Sequence, residues 1–190
     1  MRKRINLDKY EKPVEAPIGG GFVTGDMHFA KNDSLELKDV MRKVAEKQNV
    51  VWVSDGRWSI HQMLVALLDI SGPAKVHISS YAMGETPARL LVQLKECGLI
   101  TALYCVLDNR IDTRSAGSLQ VIMSLCDQYS LIDTHAKVTI IQNDHWQLTV
   151  IGSANYTENK RYEAGVIMCS KDVAEHQLQW IKKALKDGTK

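Results

Sequence analysis

The stretch Leu99 to Leu107 (Leu-Ile-Thr-Ala-Leu-Tyr-Cys-Val-Leu) is apolar at nearly every position. A strand with one wet face alternates polar and apolar side chains, so a continuous apolar strand needs cover on both faces. The flanking sequence supplies that cover. Ser59 caps an apolar helix from Ile60 to about Ile70, which Gly72-Pro73 stops. Lys75 to Ser80 reads as a strand. Thr86-Pro87 opens a helix with proline at the first helical position, and Gly98 closes it. A further helix is expected from about Ser115 to Asp127. Strand and helix alternate in units of about 25–30 residues, which argues for α/β layering with parallel strands.

The pattern changes after that. Thr134 to Ile141 and Gln147 to Ile151 read as a hairpin turning at Asn143-Asp144. Glu163 to Cys169 is one more strand. Asp172 to Lys186 is an amphipathic helix with Val173, Leu178, Ile181 and Leu185 inward. The expected architecture is a mixed, largely parallel central sheet flanked by helices on both faces. Towards the start, Val50 to Val53 reads as a strand, after a helix capped at Ser34. One domain is expected over 34–190. Residues 1–33 read as an arm or linker containing Pro13, Pro17 and the run Gly19-Gly20-Gly21. No G-K-[ST] follows those glycines, so they read as a flexible turn rather than a phosphate loop.

Composition narrows the function classes. The chain has 190 residues, 45% of them hydrophobic, enough for one sizeable core. No apolar run approaches the ~20 residues that span a bilayer. The basic start lacks the apolar stretch of a signal peptide, so a cytoplasmic location and no membrane partner are expected. Net charge is +2, and the pI of about 8.3 permits an anionic substrate without requiring one. The four cysteines (Cys97, Cys105, Cys126, Cys169) form no C-x-x-C pair and read as buried reduced thiols. No metal site and no cofactor are implied.

The chemistry concentrates in the hairpin. Strand side chains alternate, so His135, Lys137 and Thr139 share one face while Ala136, Val138 and Ile140 share the other. Spacing alone also fits a solvated polar face. The return strand ends in Gly152-Ser153-Ala154-Asn155, which a hairpin carries back beside His135 and Lys137, and Gly152 allows close backbone approach there. Imidazole, ammonium, hydroxyl and amide together suit a phosphate diester. The cation and neutral donors hold the non-bridging oxygens, and the imidazole attacks or moves a proton.

His135-x-Lys137 followed by Gly152-Ser153-x-Asn155 resembles the H-x-K…G-S-x-x-N motif of the phospholipase D superfamily, in its G-S-x-N form. The likeness spans roughly residues 45–185 and is most specific over 135–163. Small bacterial nucleases with one motif per chain, working as dimers, are the most similar in organisation. The resemblance implies His135 as the nucleophile forming a phosphohistidine. His135 of the partner subunit would protonate the leaving group. Lys137 and Asn155 would bind phosphate oxygens, supported by Ser153, and an acidic residue would hydrogen-bond the histidine. Glu163 is the candidate for that acid and Glu158 its rival. The family has an aspartate seven residues after the histidine. Here that position is Gln142, with Asp144 two further on. No second H-x-K occurs in the chain, so a complete site requires a homodimer.

Further candidates for contacting substrate are Ser80, at the C-terminal end of a strand, and Arg110 and Arg114, after the buried strand. The arginines also fit a solvated loop. Trp146, at the hairpin tip, suits stacking on a base, an interface or packing on its neighbours. His77 reads as a core histidine. The expected activity is a metal-independent phosphodiesterase acting on DNA or RNA. The alternatives are an inactive nucleic-acid-binding or scaffold protein of the same fold, and a phospholipase or phosphatidyl transferase.

Overall fold

The structure, a computed structural model, describes residues 27–29, 37–158 and 160–188. Eight strands form one mixed sheet in the order β1-β2-β8-β7-β6-β3-β4-β5. They are β1 (Met27–Phe29), β2 (Asn49–Asp55), β3 (Ala74–Ser80), β4 (Ile100–Asp108), β5 (Gln128–Ile132), β6 (Val138–Gln142), β7 (Gln147–Gly152) and β8 (Tyr162–Cys169). Helices α1 (Leu37–Ala45), α2 (Ile60–Ser71), α3 (Glu85–Glu96), α4 (Ile111–Arg114), α5 (Ala116–Leu125) and α6 (Lys171–Asp187) complete the described fold. None is long and apolar enough to cross a membrane.

The sheet is mixed, but parallel pairing is not the majority. The β1–β2, β3–β4 and β4–β5 pairs are parallel, while β2–β8, β8–β7, β7–β6 and β6–β3 are antiparallel. Hairpin connections over 138–169 impose the antiparallel half. Both faces carry helices, unequally. Helices α1 to α5 bury Val44, Leu64, Leu67, Leu91, Ile111 and Ile122 against one face. On the other face α6 packs Ala174, Leu178, Ile181 and Leu185 onto Val106, Val138 and Ile140. Ala174 thus takes the inward place expected of Val173. Strand β4 feeds both layers, with Leu103, Cys105 and Leu107 on one side and Val106 on the other, as its apolar run requires.

Local signals mostly place the elements. Ser59 forms a capping box with Gln62 at the start of α2, and Gly72 ends that helix at φ 71°. Helix α3 starts earlier than expected, at Glu85 after Gly84, so Pro87 is its third residue. The first four helical N–H groups have no intrahelical partner, so a proline costs no hydrogen bond there. Strand β5 was not expected, and the hairpin strand begins at Val138 rather than Thr134. Met27–Phe29 of the expected arm adds an edge strand, whereas Ser34 and the triple glycine lie outside the described residues. Of the cysteines, Cys105 is buried, Cys126 and Cys169 are half-buried and Cys97 is exposed.

Candidate active site

Strands β3, β4 and β5 run parallel, so their C-terminal ends lie together. The antiparallel strands bring the start of β6, the end of β7 and the start of β8 to that same end of the sheet. His135 and Lys137 sit in the extended segment just before β6. The segment is not part of the strand, yet it is pinned from several sides. Thr134 N donates to Asp108 Oδ2 (3.3 Å), and Ser79 Oγ donates to the Ala136 carbonyl (3.3 Å). Gly152 N donates to the Lys137 carbonyl (3.3 Å). That last bond brings the end of β7 beside Lys137.

Close approach at this point depends on two glycines. Gly152 and Gly165 face each other across β7 and β8, with Trp52 against both. A Cβ on Gly152 would come within 2.8 Å of the Ala164 carbonyl, and one on Gly165 within 2.7 Å of the Trp52 ring. Both contacts are closer than packed atoms allow.

His135 is exposed and Lys137 half-buried. Lys137 Nζ lies 3.2 Å from His135 Nδ1 and donates to the His135 carbonyl at 2.7 Å. Burial lowers the Lys137 pKa from its usual value, opposed by the charge of Glu163 and by Tyr81. Asn155 Oδ1 accepts from Ala82 N (3.2 Å) and lies 3.4 Å from Ser80 Oγ. An N–H must meet the amide oxygen, so the orientation is fixed and the Nδ2 donors sit at the opposite edge of the amide. Ser153 Oγ donates to Glu163 Oε2 and accepts from Ala164 N at 3.1 Å. Glu163, expected at the histidine, is thus on Ser153, while Lys137 occupies His135 Nδ1. Its rival Glu158 is exposed and acts on His61.

The neighbours that reach His135 from elsewhere in the chain centre on Tyr81. Tyr81, just past β3, has its ring centroid 4.8 Å from that of His135. Arg110 and Arg114 lie over the same ring at 5.0 and 4.9 Å, and Lys137 Nζ is 5.6 Å from it. Arg114 also donates to the Tyr81 hydroxyl. Asp108, fully buried at the end of β4, clamps Arg110 through 2.6 and 2.8 Å hydrogen bonds. The Arg110 side chain, reinforced by its backbone and that of Thr134, holds the Asp108 carboxyl far below the usual carboxylate range. Arg110 also reaches Asp133 at 3.3 Å. The sequence puts Tyr81 at a strand's C-terminal end and Asp108 beside Arg110, but does not tie either to His135. The available signal was an acid ending a buried strand with an arginine two residues on.

Two expected substrate contacts, Ser80 and Trp146, are placed otherwise than expected. Ser80 is fully buried, donating to the Ala82 carbonyl at 2.7 Å, so it braces the loop rather than meeting solvent. Trp146 lies beyond the far end of the hairpin. Four steps of about 3.3 Å each put roughly 13 Å between the ends of β6. There its ring packs on the core, with Lys47 Nζ 5.3 Å from it. Gln142 ends β6 at that far end, paired with Gln147. The position where the resembled motif has aspartate is therefore remote from His135, and Asp144 is exposed in the turn. His77 is buried, as expected.

Lys137 lines one small cavity of about 10 Å³ and Asn155 another of the same size, whereas His135 lines neither and is exposed. Among the described residues no cluster of three metal-ligating side chains occurs.

The architecture has solved counterparts. Nuc from Salmonella typhimurium, a phospholipase D family member, superposes with a TM-score of 0.58 at 21% identity, covering 75% of this chain and 97% of Nuc. The fold is that of the phospholipase D family. NucT from Helicobacter pylori gives 0.59 at 18% identity, covering 75% of this chain and 98% of NucT. TrmBL2, an archaeal chromatin protein, gives 0.51 at 12% identity, covering 81% of this chain and 59% of its own. No protein-family model matches the sequence, and no curated protein matches it.

Proposed function

We propose that the chain is a phosphodiesterase acting on nucleic acid through a phosphohistidine at His135, with two chains completing one site. The observation that carries this reading is an exposed imidazole beside Lys137 and against the Tyr81 ring, over which Lys137, Arg110 and Arg114 lie. Those groups supply the charge that a phosphate diester needs, so the reaction is read as independent of a metal. The fold shared with Nuc and NucT supports it.

His135 Nε2 attacks phosphorus, and the bond to the leaving oxygen breaks. His135 of the partner subunit gives that oxygen its proton. Water then attacks the phosphohistidine, losing a proton to the same partner residue, and the P–N bond breaks. Attack from Nε2 requires Nδ1 to carry the ring proton. Lys137, now at Nδ1, must therefore move to a phosphate oxygen as substrate arrives. Asn155 Nδ2 and the arginines hold the remaining oxygens. The open surface at His135 leaves room for a second chain related by a two-fold axis.

The test is cleavage of single- and double-stranded DNA, RNA and bis(p-nitrophenyl) phosphate in EDTA. The expected result is turnover in a dimer, reduced by roughly 10³-fold or more in His135→Ala. No turnover by a folded dimer, with nucleic acid still bound, would establish the second reading, a binding protein of this fold. The likeness to TrmBL2, whose structure shows a mode of DNA binding, favours that alternative.

A further inference from the structure

At the end of the sheet opposite His135, α6 and strands β3 to β6 enclose a cleft of about 730 Å³. Lys75, Lys182 and Lys186 line it. None of the three makes an ion pair with a described carboxylate, although the neighbouring Lys183 is paired with Asp187 at 2.5 Å. Lys182 and Lys186 are four residues apart, so they share one face of α6 as a like-charge pair that disfavours the helix. The charge of Lys186 acts on Asp187, but the like-charge gathering of Lys75 and Lys182 is not offset within the chain's described ion pairs.

A second observation points the same way. His77, in the cleft wall, is 5% exposed and its Nδ1 meets no protein group. The ring stacks on Tyr104 at 4.5 Å, its partner across the two strands. Burial, then the charges of Lys182 and Lys75, lower the His77 pKa to about 4. Both ammonium groups therefore act on this ring. Gln128 and Gln142 also line the cleft, their amide nitrogens donating to the Leu185 carbonyl and to Gln147.

We infer that this cleft binds a di- or triphosphate group, at a site separate from His135. Three ammonium groups match an anion of charge near −3, and the volume falls within the ~300–1,000 Å³ of ligand sites. A single inorganic phosphate would leave most of the cleft empty. The inference does not depend on the reading of His135 as a nucleophile.

The experiment is calorimetric titration of the full chain with tripolyphosphate, pyrophosphate, ATP and adenosine, with the His77 ring proton followed by NMR. Saturable binding of the phosphate ligands is expected, with none of adenosine. The bound anion offsets both lysines, so the His77 midpoint should rise from about 4. Lys75→Gln with Lys182→Gln should weaken binding at least about tenfold, while His135→Ala should leave it unchanged. Tighter binding of ATP than of tripolyphosphate would assign the group to a nucleotide, and the reverse to a free polyphosphate. Three outcomes would overturn the inference: no saturable binding, affinity indifferent to the lysine changes, or loss of binding in His135→Ala.

Discussion

At one end of β3 and β6, Arg110 is clamped by Asp108 and Asp133 and lies with Arg114 and Lys137 over the Tyr81 ring. At the other end, Lys75, Lys182 and Lys186 face a cleft and make no ion pair with a described carboxylate, although the charge of Lys186 acts on Asp187. Both ends gather positive charge, but only the first fixes where it sits. Clamped cations suit a reaction whose charge develops at one place, since positions set in advance cost no reorganisation. Unclamped lysines on flexible stems suit a ligand whose charge is spread.

The contrast can be broken in several ways. The largest effect belongs to the cleft. Unfolded His77 titrates at 6.5 and folded His77 at about 4, so the unfolded chain binds the proton first. The stability from keeping this ring neutral is full above pH 6.5 and is lost as the pH falls towards 4. The loss is about 3 kcal/mol, and urea unfolding from pH 7 to 4 measures it. His77→Gln should flatten the slope; an unchanged slope would mean that the ring is not held neutral.

Asp108→Asn comes next. It should cost about 2 kcal/mol, below the usual buried-pair penalty because Arg110 is 48% exposed. Asp108 titrates below its unfolded value, so its contribution is present above about pH 4 and fades only in stronger acid. The gap between wild type and variant should therefore persist at pH 4. On the proposed reading, the same change should also lower phosphodiester turnover, because Thr134 beside His135 loses a charged acceptor.

Gly165→Ala should cost about 1–2 kcal/mol through clashes with the Ile151 carbonyl and the Trp52 ring, measured as a lowered Tm. A variant as stable as wild type would show that the two strands can separate without loss. Lys182→Gln should change stability by less than about 0.5 kcal/mol, neutral to slightly favourable, since it removes a like-charge neighbour of Lys186. A marked loss would mean that this lysine is clamped after all, and the contrast would fail.

Much of this was legible in the sequence because single residues dictate it. The Ser59 cap, the positive φ of Gly72 and Gly98, and the unbroken apolar run of β4 each follow from local rules. The hairpin carrying Gly152 back to Lys137 was legible for the same reason. Strand β5 was not, because Gln128-Tyr129-Ser130-Leu131-Ile132 is short and only Ser130 in it is fully buried. Tyr81 as a neighbour of His135, and Asp108 as an acceptor for Thr134, were not legible because parallel crossovers, not sequence proximity, bring them there. Ser80 looked like a surface residue at a strand end, and only tertiary packing covers it. The far-end position of Gln142 follows from simple strand counting, and it separates the missing aspartate from the chemistry.

The fixing of Asn155 bears on how the molecule comes to exist. Its amide oxygen is held by Ala82, 73 residues earlier in the chain, and Tyr156 N donates to Ser80 across 76 residues. Met83 and Tyr156 form a bridge between the same two segments. Joining such distant stretches closes a long loop, an entropic cost that slows folding. The Asn155 amide therefore acquires its orientation only once β3 and β7 already share a sheet. A nascent or partly unfolded chain holds His135 and Lys137 without an oriented Asn155 beside them, so competence at this surface reports completed folding.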